Sequence, residues 1–256
     1  MWQGKHVSVV FPVFNEEEGL LDAIHDFSGV GWVDEIVVVD NNSTDRSAEI
    51  ARSTGARLVT ESRQGYGYAL RRGMQEASGD LIVLAEPDST FLAKDVLKLL
   101  AYEGDFDMVL GTRTTRELIW AEANMGIFLR LGNWVVAKLL EFLFNGPSLS
   151  DCGCTLRLIH AERARSLRGH LTVGGSHFLP EMVILGLLAR MRIVEVPINY
   201  RGRLGTSKIT GTFRTAWRVG WRMISLILSY RMRSWLGRIP PIPGTDAPHR
   251  AEAQRK

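Results

Sequence analysis

The chain is short of cysteine, of long apolar runs and, toward its end, of acid, and each shortage excludes a class of protein. Its only two cysteines, Cys152 and Cys154, stand either side of one residue. That spacing is too tight for an ordinary disulfide, and two sulfurs alone make a poor zinc site, so buried reduced thiols are expected. No run of about 18 uninterrupted apolar residues exists, which argues against a spanning helix. The nearest candidates, residues 125–144 and 219–230, are broken by Arg130, Lys138 and Glu141, and by Arg222. Residues 7–11 already read as a strand, with no apolar signal-peptide core before them, so a cytosolic chain is expected. Between Glu195 and Asp246 there is no acidic residue, while nine Arg or Lys fall within residues 201–238. Such a block implies an anionic partner: phosphate, nucleic acid or a lipid headgroup surface.

What is present is enough to bury one substantial core: 256 residues, 45% of them apolar. Apolar stretches at 6–14, 35–40, 56–61 and 80–85 read as strands, and 16–27, 43–54 and 68–77 as helices between them, with Ser43 or Thr44 as N-cap. Strands that are apolar throughout and alternate with helices imply a parallel sheet covered on both faces. Further on, 107–111 and 192–200 read as strands, 124–144 and 212–233 as helices. The proline-rich, polar end, 239–256, reads as a flexible tail.

In parallel sheets, ligands collect beyond the carboxyl ends of the strands. The unusual polar residues fall there: Asn15-Glu16, Asp40-Asn41-Asn42 and Glu86-Pro87-Asp88. Paired carboxylates at a strand end suit Mg2+ or Mn2+ held against a diphosphate, because hard oxygen ligands suit a hard cation. Glu-Pro-Asp is also good turn chemistry by itself. Asp40 is placed either to hydrogen-bond a ribose or nucleobase N–H, or to shape an ordinary strand-to-helix turn. Gln64-Gly65-Tyr66-Gly67-Tyr68 superficially matches a dinucleotide fingerprint. However, Leu70 stands where its third glycine belongs, and the segment follows the third strand, so a Rossmann dehydrogenase is rejected.

The pieces gain force from their order: FPVFNE at 11–16, VVDNNSTD at 38–45, RQGYGYAL at 63–70, EPD at 86–88, VLGTR at 109–113, LSDCGCTLR at 149–157 and VPINYRGRLGTSK at 196–208. Over roughly residues 6–235 this array resembles family 2 glycosyltransferases, in the branch like dolichol-phosphate mannose synthase. The resemblance implies an α/β GT-A fold and an inverting transfer from a UDP- or GDP-linked sugar to a polyprenyl phosphate. It implies that Pro12, Phe14 and Glu16 line the nucleotide pocket, and that Asp40, with Val38 two residues before it, holds the base. Glu86, Pro87 and Asp88 take the place of the family's D-x-D. Asp88 would be the principal metal ligand, with Thr90 touching the metal directly or through water. Arg203 and Lys208 match basic residues that face phosphates. Two departures stand out: Glu86 replaces the usual first aspartate and reaches further, and Pro87 removes a backbone N–H. Asp88 remains, and an active enzyme is expected.

The acceptor decides the rest. A sugar hydroxyl needs a general base, for which Asp151 or Glu181 is placed best; Asp151 could instead orient its turn. A lipid phosphate is already an anion and needs positive charge, from Arg157, Arg203 and Lys208. Within 212–233, Arg214, Arg218 and Arg222 recur every four residues beside Phe213, Trp217, Trp221, Ile224 and Leu228. Such a helix fits an anionic membrane interface, or packs on its own domain with the arginines in solvent. No base-reading motif accompanies it, so nucleic acid is not expected. The expected layout is a catalytic domain over 1–211, an interfacial helix over 212–238 and a tail over 239–256, peripheral on the cytoplasmic face of the membrane. The rivals are a transferase acting on a saccharide or other hydroxyl, and a non-catalytic nucleotide-sugar-binding scaffold.

Overall fold

Four strands set the frame: β1 (Val7–Val13), β2 (Glu35–Asp40), β3 (Arg57–Thr60) and β4 (Leu81–Leu84) run parallel, linked by α1 (Glu17–Gly29), α2 (Ser47–Ser53) and α3 (Tyr66–Glu76). The computed structural model describes residues 1–120, 123, 127–203 and 213–243. After β4 come α4 (Val96–Leu100), β5 (Met108–Thr112), α5 (Ile127–Phe144), β6 (Arg157–His160), α6 (Ala161–Leu167), α7 (Phe178–Leu188), β7 (Ile193–Pro197) and α8 (Phe213–Trp235). One seven-stranded sheet results, ordered β3-β2-β1-β4-β6-β5-β7.

The pleat divides the core. Val10, Val37, Val39, Ile82 and Leu84 face the side covered by α3, α5 and α7, while Val9, Phe11, Val38, Leu81 and Val83 face α1 and α4. Each such side chain contributes roughly 1.5–3 kcal/mol by leaving water, so these two cores rather than the surface ion pairs hold the sheet.

β6 is antiparallel to both β4 and β5, and β7 runs parallel to β5. This reversal matters for function. It brings the residues that precede β6 to the same edge as the carboxyl ends of the other strands, so Asp151 and Thr155 join Glu16, Asp40, Glu86, Asp88 and Arg203 there.

Several boundaries differ from the sequence expectation. The second helix starts at Ser47, and Ser43 and Thr44 cap nothing. Ser43 Oγ instead accepts the Asn15 N–H (3.1 Å), and Asn15 Oδ1 accepts the Thr44 N–H (2.7 Å), tying the β1 and β2 loops together. β6, α6 and α7 were not expected. β6 has only four residues, and α7 is buried around its whole first two turns, so it lacks an amphipathic period.

The basic helix packs on α5 and α7 through Met223, Ile227 and Tyr230, spaced four and three apart. Of the expected apolar stripe, Trp217, Trp221 and Leu228 are exposed, alongside Arg218 and Arg222, and Ile224 is half-buried. Among the described residues, no helix is long and apolar enough to cross a membrane. Residues 204–212, residues 124–126 of the expected α5 start and most of the expected tail lie outside the described residues.

Candidate active site

The centre of the edge is the turn after β4. Glu86 points into the protein, where its Oε1 accepts the hydroxyls of Tyr66 (2.9 Å) and Thr155 (2.8 Å). Burial, reinforced by the charge of Asp88, raises its pKa to about 7. Burial and Glu86 together raise Tyr66 as well.

Asp88 turns the other way and is 1% exposed. Its Oδ1 accepts the N–H and hydroxyl of Thr90 (3.0 and 2.5 Å) across a sharp turn in which Ser89 has φ 63°. Its buried Oδ2 has no hydrogen-bond partner among the described residues, and is ion-paired with Arg203 Nη1, 3.3 Å away. Nη2 of the same guanidinium reaches Glu16 Oε1 at 3.2 Å. Burial opposes the charge of Arg203, but Asp88, Glu86 and Glu16 overcome it and raise its pKa. Arg201 braces the turn from behind, donating to the carbonyl of Ser89 (3.1 Å) while its own N–H meets the carbonyl of Thr90 (2.9 Å).

This donor set fits a divalent cation of the hard kind. Among the described residues no three His, Cys, Asp or Glu side chains converge on one point, so an all-protein cage is absent. One or two carboxylates completed by phosphate oxygens is the usual arrangement for Mg2+, and Asp88 offers an unbonded oxygen for it.

On the nucleotide side, Asp40 closes β2 and its Oδ1 accepts the Ser43 N–H (3.1 Å). Phe14, 37% exposed, and Glu16 follow the end of β1, and Pro12 is buried within it. Val38 is fully buried in the α1-side core, so it supports Asp40 from below rather than facing a ligand. Asn41 fastens the next loop: its Nδ2 donates to the carbonyls of Glu61 and Arg63 (both 2.8 Å), and its Oδ1 accepts the Gly65 N–H (2.7 Å). Gly65 has φ 153°, and a Cβ there would stand 2.3 Å from the Gly174 carbonyl oxygen, so only glycine fits. That carbonyl accepts the N–H groups of Gly67 (2.9 Å) and Tyr68 (3.3 Å). The first amides of α3 are therefore taken, unlike those of a dinucleotide-binding loop.

Three residues expected to act on the acceptor are placed otherwise. Asp151 is fully buried, and both its oxygens hold Arg113 (2.7 and 3.0 Å). Burial opposes the Arg113 charge, but Asp151 outweighs it and raises its pKa. Glu195 accepts the N–H groups of Ser150 (2.7 Å) and Asp151 (2.8 Å), fixing the turn. Glu181 is also fully buried and takes its donors from Thr172, Val173 and Tyr230. Arg157 does not face solvent phosphate at all. It is the largest fully buried side chain, and its guanidinium donates to the carbonyls of Cys152, Cys154 and Leu179. The Cys152–Cys154 turn wraps this cation, and burial pushes both thiols up to about 12, which keeps them inert. Lys208 lies outside the described residues. Tyr66, Thr155 and Arg113 were not singled out from sequence, although each stands inside one of the ordered motifs.

The model of a family described as glycosyl transferase family 2 matches residues 8–167, more than half of the chain. The low-salt glycan biosynthesis hexosyltransferase Agl6 of Haloferax volcanii is 31% identical over 221 residues, 83% of this chain and 51% of that protein. The chain thus spans about half the length of that relative. A dolichyl-phosphate hexose transferase of the same organism is 28% identical over 228 residues, 89% of this chain and 96% of the relative. Glucosyl-3-phosphoglycerate synthase from Mycobacterium tuberculosis, crystallised with Mn2+, UDP and glucosyl-3-phosphoglycerate, superposes with TM-score 0.68 over 90% of this chain and 81% of that one. At 23% identity that likeness carries the fold, GT-A, alone.

Proposed function

The chain belongs to glycosyl transferase family 2, and we propose that it transfers a hexose, with inversion, from a UDP- or GDP-linked donor to a polyprenyl phosphate at the cytoplasmic face of a membrane. The observation that carries the choice of acceptor is the bidentate pairing of Asp151 with Arg113. Together with the saturated, buried Glu181, it leaves both expected bases engaged. A phosphate acceptor needs no base, only a cation to hold it, and Arg203 stands at the site mouth beside Asp88. The dolichyl-phosphate acceptor in the name of the Haloferax relative supports the same choice.

In this reading Asp40, Phe14 and Glu16 bind the nucleotide. Asp88, with Glu86 behind it and Thr90 fixing its rotamer, would hold Mg2+ or Mn2+. The metal, when bound, neutralises charge on the departing diphosphate. Arg203, and Lys208 beyond the described residues, orient the acceptor phosphate. Trp217 and Trp221 on α8 are exposed together with Arg218 and Arg222, and Trp235 on the same helix and Trp134 on α5 are exposed too, a combination suited to an anionic membrane interface.

A hydroxyl acceptor is the second reading, favoured by Glu86, whose pKa of about 7 suits a general base. Product extraction separates the two. With labelled donor, Mn2+ and mixed polyprenyl phosphate vesicles, label should enter the organic phase as an acid-labile glycolipid. Label that stays in water during turnover would overturn the lipid acceptor.

A further inference from the structure

Glu181 sits in the first turn of α7, fully buried. Its partners among the described residues are all neutral: the N–H groups of Thr172 (3.0 Å) and Val173 (2.9 Å), the Thr172 hydroxyl (2.6 Å) and the Tyr230 hydroxyl from α8 (2.7 Å). A buried carboxylate is costly, and an apolar side chain of similar volume would fill the space more cheaply. Its effect therefore lies in the donors it gathers.

Those donors lead to the candidate site. Residues 172–173, pinned by Glu181, are followed by Gly174, whose carbonyl holds the Gly67 and Tyr68 amides. One residue earlier, Tyr66 donates to Glu86, and Gly65 is tied to Asn41 beside Asp40. The contact has no slack, since a Cβ on Gly174 would lie 2.2 Å from the Tyr68 ring. Close-packed elements pass on displacements rather than absorb them. At the other end, Tyr230 belongs to the helix that exposes Trp217 and Trp221. Burial and the Glu181 charge raise its pKa, so the hydroxyl remains a donor.

We propose that Glu181 is a positioning residue for the donor site, and that its bond to Tyr230 makes the order of that site depend on where α8 sits. The proposal rests on the reading of the Asp40–Glu86 edge as the donor site.

The test is calorimetry of the full chain with UDP and with GDP in the presence of Mn2+, for wild type, Tyr230→Phe, Tyr66→Phe and the double variant. Tyr230→Phe removes one hydroxyl far along the chain of contacts and should weaken nucleotide binding by about threefold or more. The double variant should lose less than the product of the two single losses, as coupled positions do. Glu181→Gln, which turns one oxygen into a donor facing other donors, should raise the donor KM more than it lowers kcat. A wild-type dissociation constant for Tyr230→Phe, or losses that simply multiply, would overturn the proposal. So would an unchanged KM in Glu181→Gln. Wild-type protein that binds neither nucleotide overturns the donor-site reading itself, and this proposal with it.

Discussion

Arg203 Nη1 lies 3.3 Å from Asp88 Oδ2, the carboxylate oxygen that makes no hydrogen bond of its own among the described residues. The same guanidinium spans to Glu16, so one cation balances two carboxylates at the place proposed for a metal. Removing one partner of a buried pair leaves the other charge uncompensated, at about 3–5 kcal/mol.

Arg203→Ala is therefore expected to melt at a lower temperature than wild type and to regain more stability from Mn2+. Thermal shift with and without Mn2+ checks this; equal metal-induced shifts in the two proteins would disprove it. Asp88→Asn keeps an acceptor for Thr90 but loses the charge, so it should abolish the Mn2+ shift and cut turnover by orders of magnitude.

Glu86 gives a pH signature. Its folded pKa, about 7, lies above the ordinary carboxylate value of 4.5. The folded state then binds more protons than the unfolded chain between those values, and stability falls as pH rises through that window. In metal-free buffer, wild type should lose on the order of 1–3 kcal/mol between pH 5 and pH 8 relative to Glu86→Gln. Urea unfolding at the two pH values measures it, and parallel behaviour of the two proteins would refute it. Mn2+ binding should tighten over the same interval, because ionising Glu86 adds a negative charge behind Asp88.

Much of this edge was legible in the sequence because strand ends with polar residues announce themselves: Asp40 and Glu86 each follow an unbroken apolar run. What escaped was pairing at a distance. Arg157 and Asp151 look alike as charged residues in one motif, yet the first is satisfied by carbonyls of its own turn and the second by Arg113, 38 positions away. The reversed strand β6, four residues long, decides both fates and carries too little pattern to be seen. On α8, periodicity located the helix and its tryptophan stripe, which is exposed, but not the stripe of Met223, Ile227 and Tyr230 that packs on the domain.

Asp40 has two roles to separate. Its Oδ1 already accepts the Ser43 N–H, so the side chain shapes its turn whether or not it binds a nucleotide. Asp40→Asn preserves that acceptor and loses the charge, whereas Asp40→Ala loses both. If Asp40 holds the base, Asp40→Ala should weaken nucleotide binding by about 1–3 kcal/mol, and Asp40→Asn should weaken it too. Dissociation constants unchanged in both variants would reduce Asp40 to a turn residue.

The exposed face of α8 makes the most distinctive prediction. The helix is anchored by Met223, Ile227 and Tyr230, while Trp217 and Trp221 contact each other edge to face at 6.1 Å on the outside. Two adjacent solvent-exposed indoles cost free energy in water that an interface would recover. Each Arg near an anionic bilayer adds about 1 kcal/mol. Wild-type protein should therefore co-sediment with anionic vesicles, and less so at high salt, which screens the arginines but not the tryptophans. Arg218→Glu with Arg222→Glu should abolish the salt-sensitive part. Trp217→Ala with Trp221→Ala should weaken binding at every salt concentration. Neither pair belongs to the buried stripe of Met223, Ile227 and Tyr230, so nucleotide binding and melting temperature should stay near wild type in both. If vesicle binding survives all four substitutions, the membrane contact lies elsewhere, and the outward tryptophans of α8 have another partner.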